Sequence, residues 1–205
     1  MTIRRTTEKV ISKVEVSEEE AFKMLGTAYI AHIHERNMAY KYDKATFDAL
    51  KSAAKWASDP KAKNSLLIVG GVGTGKTTLA KALCDVLNAE YKFRYDGCFA
   101  ASFKTVSAIE LTAAARNDNE KFEMYKECMR LFIDDFGTEP DSVKIFGNTL
   151  SPMTELLYRR YDRNRPTIIT TNLSQKDILE KYGLRLADRL KEICNKISIV
   201  KESYR

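Results

Sequence analysis

Leu66-Leu67-Ile68-Val69-Gly70-Gly71-Val72-Gly73-Thr74-Gly75-Lys76-Thr77-Thr78 is the stretch that decides the fold of this 205-residue chain. Its first four residues are continuously apolar, the pattern of a strand buried on both faces. A helical pattern resumes at Lys76 and runs to about Asn88. Between them, residues 70–77 match G-x-x-x-x-G-K-[ST] in full, in the strand–loop–helix context that this phosphate-cradling pattern requires. Glycines let backbone amides turn inward around anionic oxygens without Cβ clashes. The helix N-terminus adds partial positive charge. Gly70, Gly71, Val72, Gly73, Thr74 and Gly75 therefore form a candidate cradle. Lys76 reaches the β and γ phosphates, the Thr77 hydroxyl suits Mg²⁺, and Thr78 adds a neighbouring phosphate contact.

A triphosphate site needs a second half. Leu131-Phe132-Ile133-Asp134-Asp135 is an apolar run ending in two carboxylates. In a parallel sheet, ligands bind at the carboxyl ends of strands. Asp134 is the candidate Mg²⁺ holder, and Asp135 the group that polarises an attacking water. Thr167-Ile168-Ile169-Thr170-Thr171-Asn172 is a further run with a polar tip. Its Asn172 amide can both donate and accept, which suits a sensor of nucleotide state. Other apolar runs lie at 99–103 and 197–200. Helical sequence separates the runs: one helix capped by Ser107-x-x-Glu110, one over 149–163, and one started by Ser174-x-x-Asp177. Strands alternating with helices predict an α/β parallel sheet with helices on both faces.

Upstream, Ser17-Glu18-Glu19-Glu20 reads as a capping box. A helix follows to about Arg36, with Phe22, Leu25, Tyr29 and Ile33 on one face. Residues 37–44 form a connection. A second helix over 45–57 carries Phe47, Leu50, Ala54 and Trp56, and Asp59-Pro60 stops it. The character of the sequence changes near 60–64.

Lys and Arg number 34 against 28 Asp and Glu, a net charge of +6, compatible with nucleic acid but weak evidence for it. With 44% hydrophobic residues the chain is not a disordered tail. No run approaches the roughly 20 apolar residues of a membrane span. Met1-Thr2-Ile3-Arg4-Arg5-Thr6 is not followed by the apolar core of a secretory signal, so a cytoplasmic protein is expected. Cys84, Cys98, Cys128 and Cys194 form no C-x-x-C pair and read as reduced thiols. His32 and His34, two apart, face different ways on a helix and read as surface residues. Tyr158 and Tyr161 lie among Arg159, Arg160, Arg163 and Arg165. That mixture suits stacking on single-stranded nucleic acid or, equally, an amphipathic helix with solvated arginines. Phe136, Phe146 and Tyr125 read as core or hinge residues.

Together these motifs resemble the AAA+ ATPases, and more closely the DnaC-type helicase loaders and the IstB-type transposition helpers. The resemblance rests on the phosphate loop, Ile133-Asp134-Asp135-Phe136-Gly137, Arg165-Pro166-Thr167-Ile168-Ile169-Thr170-Thr171-Asn172-Leu173, Asp188-Arg189-Leu190 and the terminal Glu202-Ser203-Tyr204-Arg205. It covers about residues 45–205, leaving 1–44 as a helical segment that is a candidate partner-binding region. The resemblance implies a P-loop NTPase that binds ATP and hydrolyses it with Mg²⁺. Lys76 and Thr77 take the Walker A positions, Asp134 and Asp135 the Walker B positions, and Asn172 the sensor 1 position. Arg189 takes the place of the arginine finger that enters a neighbouring subunit's site, with Arg185 as the alternative, which implies self-association. The implied partners are a replicative DNA helicase and single-stranded DNA, in DNA replication. The alternative is an IstB-like helper of DNA transposition. A P-loop small-molecule kinase is less favoured, because no basic lid segment is evident. The second acid is Asp where most AAA+ proteins have Glu. No helical lid is expected after the last strand, which leaves no place for a lid-borne sensor 2 arginine.

Overall fold

The computed structural model describes residues 13–94, 102–140, 143–145 and 148–201. Helices α1 (Glu18–Glu35) and α2 (Lys44–Ser58) come first. They are followed by β1 (Ser65–Gly70), α3 (Lys76–Arg94), β2 (Lys104–Ser107), α4 (Ala108–Asn117), α5 (Asn119–Glu127) and β3 (Leu131–Phe136). A short hairpin of β4 (Val143–Ile145) and β5 (Asn148–Leu150) leads to α6 (Pro152–Asp162), β6 (Thr167–Thr171), α7 (Gln175–Tyr182), α8 (Leu184–Ile193) and β7 (Cys194–Ile199).

Five strands form one sheet in the order β2-β3-β6-β1-β7, and every pairing in it is parallel. Leu66 lies opposite Ile168, and Ile68 opposite both Thr170 and Ile197. Strand side chains alternate between faces, and the core divides accordingly. Leu66, Ile68, Phe132, Ile168 and Ile197 pack under α1, α2 and α3. Leu67, Leu131, Ile133 and Ile169 pack under α4, α5, α6, α7 and α8. The run 66–69 is continuously apolar because β1 lies second from the edge with both faces covered.

Helix α1 belongs to this core: Ala21, Leu25 and Tyr29 are buried in the same cluster as Ala53, Ala54 and Leu83. Ser17 caps it by accepting from the Glu20 amide. The capping boxes at Ser107/Glu110 and Ser174/Asp177 both form.

Three elements differ from the sequence reading. Residues 95–101 lie outside the described set, so most of the run 99–103 cannot be placed; the strand itself is Lys104–Ser107. At the sheet edge β2 buries only Val106, so it lacks the continuous apolar signal of a central strand. The helix read over 149–163 begins at Pro152, because proline fits the first helical position, and residues 148–150 pair in the hairpin instead. The stretch after Ser174 forms two helices broken at Gly183, which takes φ +81. Phe146 and residues 202–205 lie outside the described set. Phe136 and Tyr125 are buried as expected.

Burial pushes the Cys84 thiol far above its ordinary range and Cys194 up to about 12. Since the thiolate is the nucleophile, both are expected to escape iodoacetamide at pH 8 in the native protein and to react once guanidinium unfolds it. Peptide mass spectrometry of alkylated Cys84 and Cys194 reads this directly.

Candidate functional site

The loop between β1 and α3 is built on left-handed glycines: Gly73 has φ +76 and Gly75 φ +90. Gly75 is doubly constrained, since a Cβ there would also lie 2.8 Å from the Tyr29 hydroxyl. Thr74 is buried and its hydroxyl donates to the Gly71 carbonyl at 2.9 Å, tying the loop to itself. Gly70 ends β1, and Gly71 is exposed while its carbonyl accepts from Thr74. Val72, Gly73, Gly75, Lys76, Thr77 and Thr78 line a cleft of about 800 Å³ with Asp135 and Asn172.

Lys76 Nζ donates to the Gly71 carbonyl at 2.7 Å and to Asn172 Oδ1 at 2.6 Å. Burial pulls its pKa down, while the charges of Asp135 and Asp134 push it back up. A partly desolvated ammonium at the mouth of an amide-lined loop suits an anion.

The two acids are positioned differently. Asp134 Oδ1 accepts from the Thr77 hydroxyl at 2.9 Å and from the Thr170 hydroxyl at 2.6 Å. Asp135 sits at φ +53, in the left-handed region. Between Ile133 and Phe136 the pairing of β3 with β6 slips by one residue, a bulge. Bulges re-aim side chains next to functional sites. Here the bulge places Asp135 on the cleft wall, while the Asp135 amide donates to the Thr170 hydroxyl at 2.9 Å. One hydroxyl, Thr170, thus fixes both acids. Beyond them, the Gly137 amide donates to buried Glu139 at 2.9 Å, Glu139 bonds the Tyr182 hydroxyl, and Phe136 stacks on the Tyr182 ring. These contacts hold the end of β3 against α7.

The residues present fit a magnesium nucleotide. The left-handed glycine loop and Lys76 offer donors for phosphates. Asp134 and Thr77 offer the hard oxygens that Mg²⁺ takes. Asp135 and Asn172 flank the far end of the cleft.

The structure brings together every residue predicted for the phosphate and metal site, but not Arg189. Arg189 lies on α8, outside the cleft lining. Its guanidinium sits 4.3 Å from the Tyr158 ring centre and 4.5 Å from that of Tyr161, with Asp162 at 3.7 Å. Arg185 also covers Tyr158, at 5.2 Å. The tyrosine–arginine mixture is therefore largely self-engaged. Arg160 is 1% exposed, and Arg159 and Arg163 pair with Glu127. His32 bridges Glu35 and Asp85. Sequence reasoning missed Thr170, the far wall formed by Tyr29, Ile33, Arg36, Met38, Ala39 and Lys41, and Thr138. The one available signal was Thr170 itself, a hydroxyl at the polar end of an apolar strand.

The parallel sheet, the glycine loop after its β1 strand and the acids at the end of β3, with β6 inserted between those two strands, define a P-loop NTPase with the AAA+ fold. The profile of the IstB-like ATP binding proteins matches residues 22–205, and the chain belongs to that family. No curated protein sequence matches it significantly. Among solved structures it is similar to the DnaC helicase loader, with a TM-score of 0.56, 19% identity, 78% of this chain and 93% of that one covered. DnaI gives a TM-score of 0.58 at 19% identity, covering 91% of this chain and 96% of that one. The replication initiator DnaA bound to AMPPCP and single-stranded DNA gives 0.51 at 19%, covering 80% and 48%. At these identities the likeness is one of fold. Among the described residues, no helix is long and apolar enough to cross a membrane.

Proposed function

We propose that this chain hydrolyses ATP with Mg²⁺ and couples hydrolysis to remodelling a DNA-bound partner, a replicative helicase ring on single-stranded DNA, in the cytoplasm. The observation that carries this is the division of labour between the acids. Asp134 is pinned by two hydroxyls as a metal holder. Asp135 is turned onto the cleft wall by a left-handed bulge, its backbone amide held by Thr170, where a general base for water belongs. When bound, Mg²⁺ would neutralise developing charge on the phosphates. Lys76 would bind the phosphates, and Asn172 would orient the water and feel the terminal phosphate.

Arg189 lies outside the cleft of its own chain; as an arginine finger it would serve a nucleotide held by another copy, in a head-to-tail assembly. The rings of Tyr158 and Tyr161 hold its guanidinium at the surface of α8. The helicase and the single strand are carried over from what the DnaC and DnaA structures are described as doing. Because α1 buries Leu25 and Tyr29, partner contact within 1–44 falls to residues outside that buried face.

Phosphate release from Mg²⁺-ATP, with and without single-stranded DNA, tests the proposal. Metal-dependent release stimulated by DNA is expected; release that requires an added small acceptor would instead mark a kinase. A transposition role is the second reading, favoured by the family match itself. Co-purification of the tagged chain with ATP present, recovering a helicase or a transposase, decides between them.

A further inference from the structure

The wall of the cleft opposite the acids is built by residues outside any phosphate-binding motif. Helix α1 ends at Glu35, Asn37 takes φ +55, and the chain turns along the cleft through Met38, Ala39 and Lys41. Arg36 sits at this turn with its side chain on the cleft, Nη1 3.4 Å from the Thr78 hydroxyl. That is long for a hydrogen bond. Among the described residues neither Arg36 nor Lys41 has a carboxylate within ion-pair distance, whereas Lys126, Arg159, Arg163 and Lys201 all do.

The wall is held in place. Tyr29 is 3% exposed, its hydroxyl abuts Gly75 and bonds Thr46 on α2, and its ring meets Tyr40 edge-on at 6.5 Å. One turn before Arg36, His32 joins α1 to Asp85 on α3. The backbone that carries Arg36 is therefore anchored to both the phosphate loop and the helix behind it, so little ordering is needed to present the guanidinium.

Position along the cleft says which end it serves. Thr77 points its hydroxyl at Asp134. Thr78, one residue on, lies about 100° further round the helix, toward α1. Asp135, Asn172 and Lys76 mark the end where the terminal phosphate belongs. Arg36 stands on the Thr78 side of that helix.

We infer that Arg36 is a nucleotide-binding residue, presenting its guanidinium to the α-phosphate end of the polyphosphate from within the same chain. The inference rests on the proposed ATP binding. The interaction is a charge-assisted fork on an anion, supplied by the helix that precedes the nucleotide-binding core in sequence. Because ATP and ADP share that end, Arg36 contributes equally to both.

Calorimetric titration with Mg²⁺-ATP and Mg²⁺-ADP tests this on the full chain, with wild type, Arg36→Ala, Arg36→Lys and Lys76→Ala compared. Arg36→Ala is expected to raise both dissociation constants by the same factor, about tenfold. Arg36→Lys should retain part of the affinity. The melting temperature without nucleotide should match wild type, since Arg36 is exposed and makes one long contact, while the nucleotide-induced rise shrinks. Unchanged affinity in Arg36→Ala, with Lys76→Ala failing to bind, would overturn the inference and leave ATP binding standing. Loss for ATP alone would overturn the assignment to the α end. Wild type binding neither nucleotide would overturn the proposed function and the inference together.

Discussion

Replacing Asp135 with Asn is expected to slow phosphate release by about 10²–10⁴-fold while ATP still binds within a few-fold of wild type. Asn keeps the size of the side chain and removes only its capacity to take a proton from water. It also tolerates the left-handed backbone that Asp135 adopts at φ +53. Asp135→Ala is the poorer test, because a residue with a plain Cβ costs roughly 1–2 kcal/mol in that conformation and mixes strain with chemistry. Asp134, pinned by Thr77 and Thr170, keeps both bonds in the variant, so the metal-holding pair survives. There is a second readout. The Asp135 charge props up the pKa of Lys76 against its burial. Without it the ammonium loses its proton at lower pH, so the alkaline limb of ATP binding should move down in the variant. Release by Asp135→Asn at the wild-type rate would remove Asp135 from the chemistry and point to a nucleotide-binding scaffold.

What was legible in advance follows from how local each signal is. The phosphate loop, the two acids and Asn172 each sit where an apolar run meets a polar residue, and their spacing carries the chemistry. The central strands were legible because both faces are covered. Strand β2 was not, because an edge strand needs little apolar surface, and its Lys104 and Thr105 face solvent. The β4–β5 hairpin is three residues a side, too short for a period to register. The far wall of the cleft was illegible for another reason. Tyr29 and Ile33 read as ordinary positions on an amphipathic helix, and only the crossing of α1 over α3 brings them to the phosphate loop. Thr170 reads as one of three threonines in its strand; the bulge in β3 is what sets its hydroxyl between Asp134 and the Asp135 amide. The arginines of α6 show the converse. Their sequence pattern is that of a solvated or nucleic-acid-facing stripe, yet one of them is interior.

That interior residue, Arg160, carries the largest expected effect on stability. It is 1% exposed, and no carboxylate partners it among the described residues. Its guanidinium instead donates to the Tyr125 and Cys128 carbonyls at 3.1 and 2.9 Å, the Pro166 carbonyl at 2.8 Å and the Thr167 hydroxyl at 2.9 Å. Tyr125 and Cys128 lie at the end of α5, where helical carbonyls lack intrahelical donors and where the helix dipole favours a cation. Pro166 immediately precedes β6 and Thr167 begins it. A single fork therefore joins a helix end to the start of the strand whose other end carries Thr170 and Asn172. Burial pulls the pKa of Arg160 down to about 10, still far enough above neutrality to keep the charge. Arg160→Leu conserves much of the volume but strands several buried acceptors together. The expected loss is about 3–5 kcal/mol, a fall of roughly 2 M in the urea midpoint at about 2 kcal/mol per molar. Arg160→Lys keeps the charge but lacks the planar fork and should fall between the two. A midpoint within 0.3 M of wild type for Arg160→Leu, on the order of 0.5 kcal/mol, would mean that water can reach those carbonyls and that the arginine belongs to the outer stripe after all. The same variant bears on DNA. A purely structural Arg160 leaves DNA affinity per folded molecule unchanged, whereas a phosphate contact would reduce its salt dependence by about one charge.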